Sequence, residues 1–275
     1  LSSFPPPGNG FDLYGGFPKN CPNGSGHSIQ WGNEGTGSQA EGVSYTFTIP
    51  PGRDEFNLIY HYAIVIQDPL HSIEEQPRMI ITVRNLSNGG SELPCPLAPF
   101  VPSGGLPGFD TSKVRPVSGI VLYKNWAAAS IKLDNLAGQT IEIFFKTADC
   151  TRGGHFGYAY IDINSECSSL FTGAVFCPDD AFINVTAPFG YQAYKWWDAT
   201  DPTTIIGTTQ TINFTPPPAP GTVLKVLVTP YAGYGCADTL TAVLIDTLTI
   251  QAQAGPDKLS CNNAPVQLGA NPKPG

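Results

Sequence analysis

Apolar and polar residues alternate with a period of two over much of this chain. In FNLIYHYAIVI, Phe56, Leu58, Tyr60, Tyr62, Ile64 and Ile66 fall on one parity, while Asn57, His61 and Gln67 fall on the other. Side chains of a strand point alternately to its two faces, so the stretch predicts a strand with one face in a core. Ile59 and Val65 partly cover its second face. SIQWGN, YTFTI, RMIITVRN, GIVLYKNW, ASIKLDNL, TIEIFFKTAD and FGYAYIDI read the same way, separated by turns such as IPPGRD and VPSGGLPGFD. About eight strands before Cys167 predict a two-sheet jelly roll over residues 1–167.

A second unit is predicted over 168–250. FCPDDAFINVTAP, YQAYKWWDAT, TIIGTTQTINFT, GTVLKVLVTPYAGYGC and DTLTAVLIDTLTI give shorter strands, with Trp196 and Trp197 between Cys177 and Cys236. Cysteine, then tryptophan about a strand later, then cysteine is the immunoglobulin-like order, in which an inter-sheet disulfide packs on a buried indole. Residues 251–275 read as the opening strand or linker of a further, truncated β domain. The expected fold class is therefore all-β: a jelly-roll sandwich, an immunoglobulin-like sandwich, and the start of a third β domain.

Composition strengthens this reading. Thirty Gly, 27 Pro and 13% charged residues suit turns and disfavour helix interiors. A formal charge of −8 with no Lys/Arg cluster leaves phosphate backbones nothing to grip, so nucleic acid is not an expected partner. No apolar run reaches the roughly 20 residues of a membrane helix, so no membrane insertion is expected. The chain does not begin with Met and carries no leader-like start, which reads as a mature or excised piece.

Seven cysteines lie at long, irregular spacings without a C-x-x-C pair, which points to disulfides in an oxidising compartment. The expected pairs are Cys177 with Cys236, Cys150 with Cys167, and Cys21 with Cys95. The four N-terminal cysteines allow three pairings, among which the sequence does not choose. Cys261 would pair beyond residue 275.

The most enzyme-like stretch is TADCTRGGHFGYAYIDINSEC. Alternation puts His155 and Asp162 on opposite faces of one strand, with about 23 Å of extended chain between them, too far for a dyad. Asp149 could meet His155 by folding back through CTRGG, but such a bond would fix a glycine-rich turn without needing a substrate, so a structural role is expected over a catalytic one. No catalytic residue is assigned. Tyr158, Tyr160 and Asp162 share a face on which rings beside a carboxylate could hold a sugar, or could simply pack the sandwich. With Trp126 they form the candidate ligand set, and Trp31 is a further aromatic candidate. QDPLHSIEEQPR gathers His71, Glu74, Glu75, Gln76 and Arg78, which could bind a polar ligand or brace neighbouring loops through Arg–carboxylate pairs; bracing is the expected role. Asn33, Glu34, Asp162 and Asn164 are candidate oxygen ligands for a structural calcium ion joining the first and last strands, the one cofactor considered.

GNEGTGSQAEGVSYTFTIP, HYAIVIQDPLHSIEEQPR, LYKNW, FKTADCTRGGHFGYAYIDINSEC, AGPD and LGANPKPG together resemble the repeated extracellular modules of Bacteroidota gliding-motility adhesins and related type IX secretion cargo. The resemblance implies a string of β-sandwiches at the outer cell surface or secreted. Its partners would be neighbouring domains of the same polypeptide, surface glycans or other surface proteins. It carries over no active-site residue. The tripeptides Asp-Thr-Leu at 238–240 and 246–248 are similar to the O-glycosylation acceptor of that phylum, which makes Thr239 and Thr247 candidate glycan sites. The expected function is a non-enzymatic structural or adhesive segment. The alternatives are a carbohydrate-binding module and accessory domains of a secreted hydrolase.

Overall fold

In the computed structural model, which describes residues 2–4, 10–54, 56–93, 99–102, 106–163, 170–177 and 180–246, the chain is all-β. Its strands are β1 (Ser2–Phe4), β2 (Ser28–Trp31), β3 (Ala40–Thr48), β4 (Asn57–Asp68), β5 (Arg78–Asn85), β6 (Ser91–Glu92), β7 (Asp110–Thr111) and β8 (Ile120–Lys132). They continue as β9 (Thr140–Ala148), β10 (Gly157–Ile163), β11 (Leu170–Phe176), β12 (Ile183–Thr186), β13 (Ala193–Asp198), β14 (Thr211–Phe214), β15 (Val223–Thr229) and β16 (Asp238–Asp246). Among the described residues the helical content is a 3₁₀ turn at Leu86–Asn88.

One sheet runs β1-β2-β10-β4-β8-β7 and the sheet facing it β3-β9-β5-β6, with every neighbouring pair antiparallel. Four strands, β2-β10-β4-β8, thus oppose β3-β9-β5-β6, and the chain steps from one sheet to the other between β2, β3, β4 and β5. That is the double Greek key of a jelly roll. GIVLYKNW and ASIKLDNL, expected as two strands, are one. The register with β4 slips between Tyr62 and Ile64, so that Asn125 and Trp126 together oppose Ala63. A bulge absorbs the irregularity that a turn was expected to take.

β4 is buried along all twelve residues, because both faces of its sheet are covered. The inward parity, Leu58, Tyr60, Tyr62, Ile64 and Ile66, joins Trp31, Ile81, Ile143 and Phe145 between the sheets. The outward Ala63 and Val65 lie under Phe17, Trp126, Tyr158 and Tyr160. Ile59 and Ala128 belong to the core of the second unit. A strand buried on both faces loses the polar parity that alternation predicts.

The second unit has sheets β11-β16-β15-β13 and β12-β14. β11 runs parallel to β16 and the remaining pairs are antiparallel, an immunoglobulin-like arrangement with Trp196 on β13 fully buried. Its loops seat on β8 and its neighbours. Ala128 N–H donates to the Gly190 carbonyl at 3.0 Å, Tyr191 and Ser130 share a hydroxyl hydrogen bond, and Tyr234 stacks on Phe100 at 4.0 Å. Gly190 has φ +97, and a Cβ there would stand 2.6 Å from the Ala128 nitrogen, so this approach requires glycine. Lys124 points its ammonium at the Tyr231 ring, 3.1 Å from the centroid; burial lowers its pKa to about 8, against the pull of Asp110.

None of the expected disulfide pairs is present. Cys21, Cys150 and Cys177 are reduced, whereas Cys236 is disulfide-bonded and so has a different partner from Cys177. The parallel pairing of β11 with β16 gives the reason. Phe176 lies opposite Asp246, so Cys177 sits at the far end of β16 from Cys236, roughly 30 Å away at 3.3 Å per residue. Bridged Cα atoms stand within about 7 Å of each other. The core positions beside Trp196 carry valines instead: Val185 on β12 of the opposite sheet and Val226, its register partner on β15, both fully buried. Cys150 lies beside the start of β10, which then carries the chain away from it. Cys21 is buried beneath Trp126 and Tyr160, where desolvation pushes its thiol pKa up. Cys95, Cys167, Cys261, Asn164, Thr247 and the expected third domain lie outside the described residues.

Candidate functional site

Two loops converge at one rim of the jelly roll. β4 is adjacent to β10 and β5 to β9, in antiparallel register, so the β4–β5 connection (69–77) and the β9–β10 connection (149–156) both cross between the sheets at the same end. Thr151 N–H donates to the Glu75 carbonyl at 3.2 Å. Arg152 reaches Glu75 Oε1 through Nη2 at 2.9 Å and Nε at 3.0 Å, and this contact lowers the Glu75 pKa. Bracing was the expected role of this loop, but the arginine that braces is Arg152. Arg78 instead donates to the Ile73 carbonyl at 2.6 Å.

The bracing brings three donor side chains together. His71 Nδ1 stands 3.2 Å from Cys150 Sγ, the His71 and His155 rings meet edge to face at 5.0 Å, and one ligand atom from each of the three residues lies within 4.8 Å of the others. Cys150 is fully buried and both histidines are half-buried. The Arg152 amide N–H points at Cys150 Sγ from 3.4 Å. His155 Nε2 shares a hydrogen bond with Ser118 Oγ at 3.2 Å, while its buried Nδ1 has no hydrogen-bond partner. Desolvation, then the neighbouring His71, lower the His155 pKa, which favours the neutral imidazole that binds metals. His71 and Cys150 are 79 residues apart in sequence, so spacing alone gave no signal of this cluster.

His155 precedes β10 and Asp162 lies near its far end, so the two are separated as the alternation required. Asp149 does not turn toward His155. Its Oδ1 accepts from Gly157 N–H at 3.3 Å and its Oδ2 from Gln39 N–H at 3.1 Å, so it braces backbone.

The expected aromatic platform is not a surface. Tyr158 and Tyr160 are 2% and 1% exposed, because residues 11–21 fold over them. Asp12, itself 2% exposed, is the keystone. Its Oδ2 accepts from the Tyr158 hydroxyl at 2.8 Å and the Tyr160 hydroxyl at 3.0 Å, and its Oδ1 from the Tyr14 and Gly15 amides at 3.0 and 2.7 Å. Burial first, and then the Asp12 charge, drive both phenol pKa values up. Trp126 is held there by its indole N–H, 2.7 Å from the Pro18 carbonyl. Trp31 is fully buried.

The candidate calcium ligands are likewise dispersed. Trp31 pairs with Ala159 in the β2–β10 ladder, which places Asn33 and Glu34 near the start of β10 and Asp162 near its end. Asn33 Nδ2 donates to Glu41 at 2.9 Å. Asp162 accepts from Asn23 Nδ2 at 2.7 Å and from the Ser25 hydroxyl.

Asp162 does line a cavity of about 270 Å³ where β2 and β3 part, with Ile29, Val43, Tyr45, Phe145 and Ile163 among its walls. Tyr45 is 36% exposed there and stacks on Phe47 at 5.4 Å. It is an accessible aromatic beside this cavity, and the period-two pattern marked it only as a strand residue. Opposite Asp162 in the β4–β10 register is His61, 2% exposed. His61 stacks on Phe189 of the second unit at 4.5 Å, and neither of its ring nitrogens has a hydrogen-bond partner. Desolvation lowers its pKa to about 4, against the pull of Asp162. Thr239 is exposed on β16.

No family model and no curated protein matches the chain. Among solved structures it is similar to the adhesin domain of Epf from Streptococcus pyogenes, with 8% identity over 82% of this chain and 79% of that one, at a TM-score of 0.22. It is also similar to the glycoside hydrolase domain of Endo-D from Streptococcus pneumoniae R6, with 13% identity over 79% of this chain and 33% of that one, at 0.19. A third is the group B streptococcus pilus 2b backbone protein, with 12% identity over 79% and 95%, at 0.16. TM-scores this low carry no argument about function.

Proposed function

We propose that the chain is a non-enzymatic structural and adhesive segment of a bacterial cell-surface or secreted protein, built from a jelly roll (1–167) and an immunoglobulin-like unit (168–250). The observation that carries this reading is the closure of the β4 sheet on its outer face. Residues 11–21 cover one half and the second unit covers the other. The outer face of this sheet is therefore used to join modules rather than left open to a ligand, which suits a stiff spacer. The resemblance to gliding-motility adhesins and type IX secretion cargo supports a place at the outer surface. An exposed Thr239 in an Asp-Thr-Leu tripeptide is compatible with O-glycosylation there.

A carbohydrate-binding role is the second reading, favoured by the cavity beside Tyr45 and Asp162. A panel of plant, algal and bacterial polysaccharides probed with the intact chain separates the two. The spacer reading expects no retention on any glycan. Retention that disappears in Tyr45→Ala, with the unfolding midpoint unchanged, would replace it with the carbohydrate-binding reading.

A further inference from the structure

We infer that His71, Cys150 and His155 bind one divalent metal ion of borderline softness, Zn²⁺ by preference, as a clip between the two rim loops. This goes beyond the spacer reading and does not depend on it. A thiolate and two imidazoles are the donor set that Zn²⁺ selects over hard cations such as Ca²⁺, which take oxygen.

The geometry is close to that of a formed site. Zinc bonds of about 2.0–2.3 Å in a tetrahedron set ligand atoms roughly 3.3–3.6 Å apart. His71 Nδ1 and Cys150 Sγ already stand at 3.2 Å, and the whole set lies within 4.8 Å, so closure by about 1 Å suffices. Half-buried rings supply that by rotating about their χ angles. The fourth position would take water, since the cluster provides three ligands.

Two further observations point to a ligand. The buried His155 Nδ1 has no partner, and burying such a group unpaired is costly; a metal bond would satisfy it. Ser118 holds the other nitrogen of the same ring at 3.2 Å, the kind of contact that fixes the tautomer and orientation of a ligating histidine. The Arg152 amide N–H faces Cys150 Sγ from 3.4 Å, the kind of outer contact that orients a ligating atom. Arg152's guanidinium is turned away onto Glu75, so it does not compete for the sulfur. The reduced state of Cys150, unexpected while it was assigned to a disulfide, is what a ligand needs.

The test titrates the intact, reduced chain with Co²⁺ as the spectroscopic probe and Zn²⁺ as the competitor. A thiolate-to-cobalt charge-transfer band should saturate at one equivalent and vanish as Zn²⁺ is added. Cys150→Ser should abolish the band, even though Cys21 and Cys177 remain to report adventitious thiol binding. His71→Ala should weaken Co²⁺ binding about 100-fold, and Ser118→Ala about 10-fold. Zn²⁺ should raise the Tm of the natural chain and leave that of His155→Gln unchanged, with metal-free unfolding midpoints and circular dichroism showing that each variant folds. The absence of a one-equivalent band in the natural chain would overturn the assignment. So would a band that survives Cys150→Ser.

Discussion

Asp12→Ala is expected to lower the unfolding free energy by about 3–5 kcal/mol. The substitution removes one carboxylate, but four donors lose their acceptor at once: the hydroxyls of Tyr158 and Tyr160 and the amides of Tyr14 and Gly15. Hydrogen bonds to a charged acceptor contribute roughly 1.5–3 kcal/mol each, and a buried donor left without a partner costs about 1–3 kcal/mol more. The contributions are not additive, because loosening residues 11–21 readmits water to the phenols, so the figure stays below their sum. Asp12→Asn keeps the shape and loses the charge, and should lose about half as much. Urea unfolding at constant m value measures both variants. Faster cleavage within 11–21 under limited proteolysis should accompany the loss, since Phe17 and Trp126 would lose the cover they share. A change below 1 kcal/mol would mean that apolar contacts alone hold this segment on the sheet.

The second large effect is one of pH. His61 is neutral in the folded chain down to about pH 4, because desolvation lowers its pKa to about 4 from the ordinary 6.5 of an imidazole. Between these two values the unfolded chain takes up a proton that the folded chain refuses. The stability associated with His61 is therefore complete above pH 6.5 and falls as pH drops, by about 3 kcal/mol at pH 4, with no further loss below. The charged groups facing this ring are few. Asp162 lies opposite on β10, while Phe189 on the second unit presents its ring face and its backbone; Asp162 and the Phe189 backbone both oppose the shift, and desolvation outweighs them. Asp149 and Asp238 have pKa values raised by burial and act in the opposite direction as pH falls. The informative quantity is thus the difference between the natural chain and His61→Phe. The stability of the natural chain relative to His61→Phe should rise by about 3 kcal/mol from pH 4 to pH 7; parallel pH profiles would contradict it.

How much of this was legible beforehand follows from which residues made local sense. The inward parity of β4 was readable because Leu58, Tyr60, Tyr62, Ile64 and Ile66 keep step with the pleat, and the jelly roll followed from the number and spacing of such runs. A buried indole at Trp196 or Trp197 was readable from the cysteine–tryptophan–cysteine order, although Cys177 and Cys236 are not bridged to each other; the buried one is Trp196. The covering of the outer face was less so. Ile59 and Val65 hinted at it, but Asp12 sits in a stretch of Pro, Gly and Asn with no period, and its two tyrosine partners are 146 and 148 residues away.

The cysteine assignments failed for a similar reason. Spacing suggests that Cys177 and Cys236 bracket a sandwich, yet the parallel β11–β16 pairing sends their strand ends in opposite directions. Cys150 reads as one more half of a bridge until the β4–β5 loop delivers His71 to it. Long-range pairing decides such contacts, and a single sequence records it only through patterns that loops do not carry.

The central claim is that the second unit is seated on the jelly roll through His61–Phe189, Ser130–Tyr191 and Phe100–Tyr234, so that both move as one body. Backbone amide residual dipolar couplings of the intact chain in a weakly aligning medium test it directly. A single alignment tensor should fit the couplings of residues 28–54, 56–93 and 106–163 together with those of 183–246. Two tensors of different magnitude or orientation would contradict the account, because they would mean that the sandwiches tumble about their connection and that the outer face of β4 is only intermittently covered.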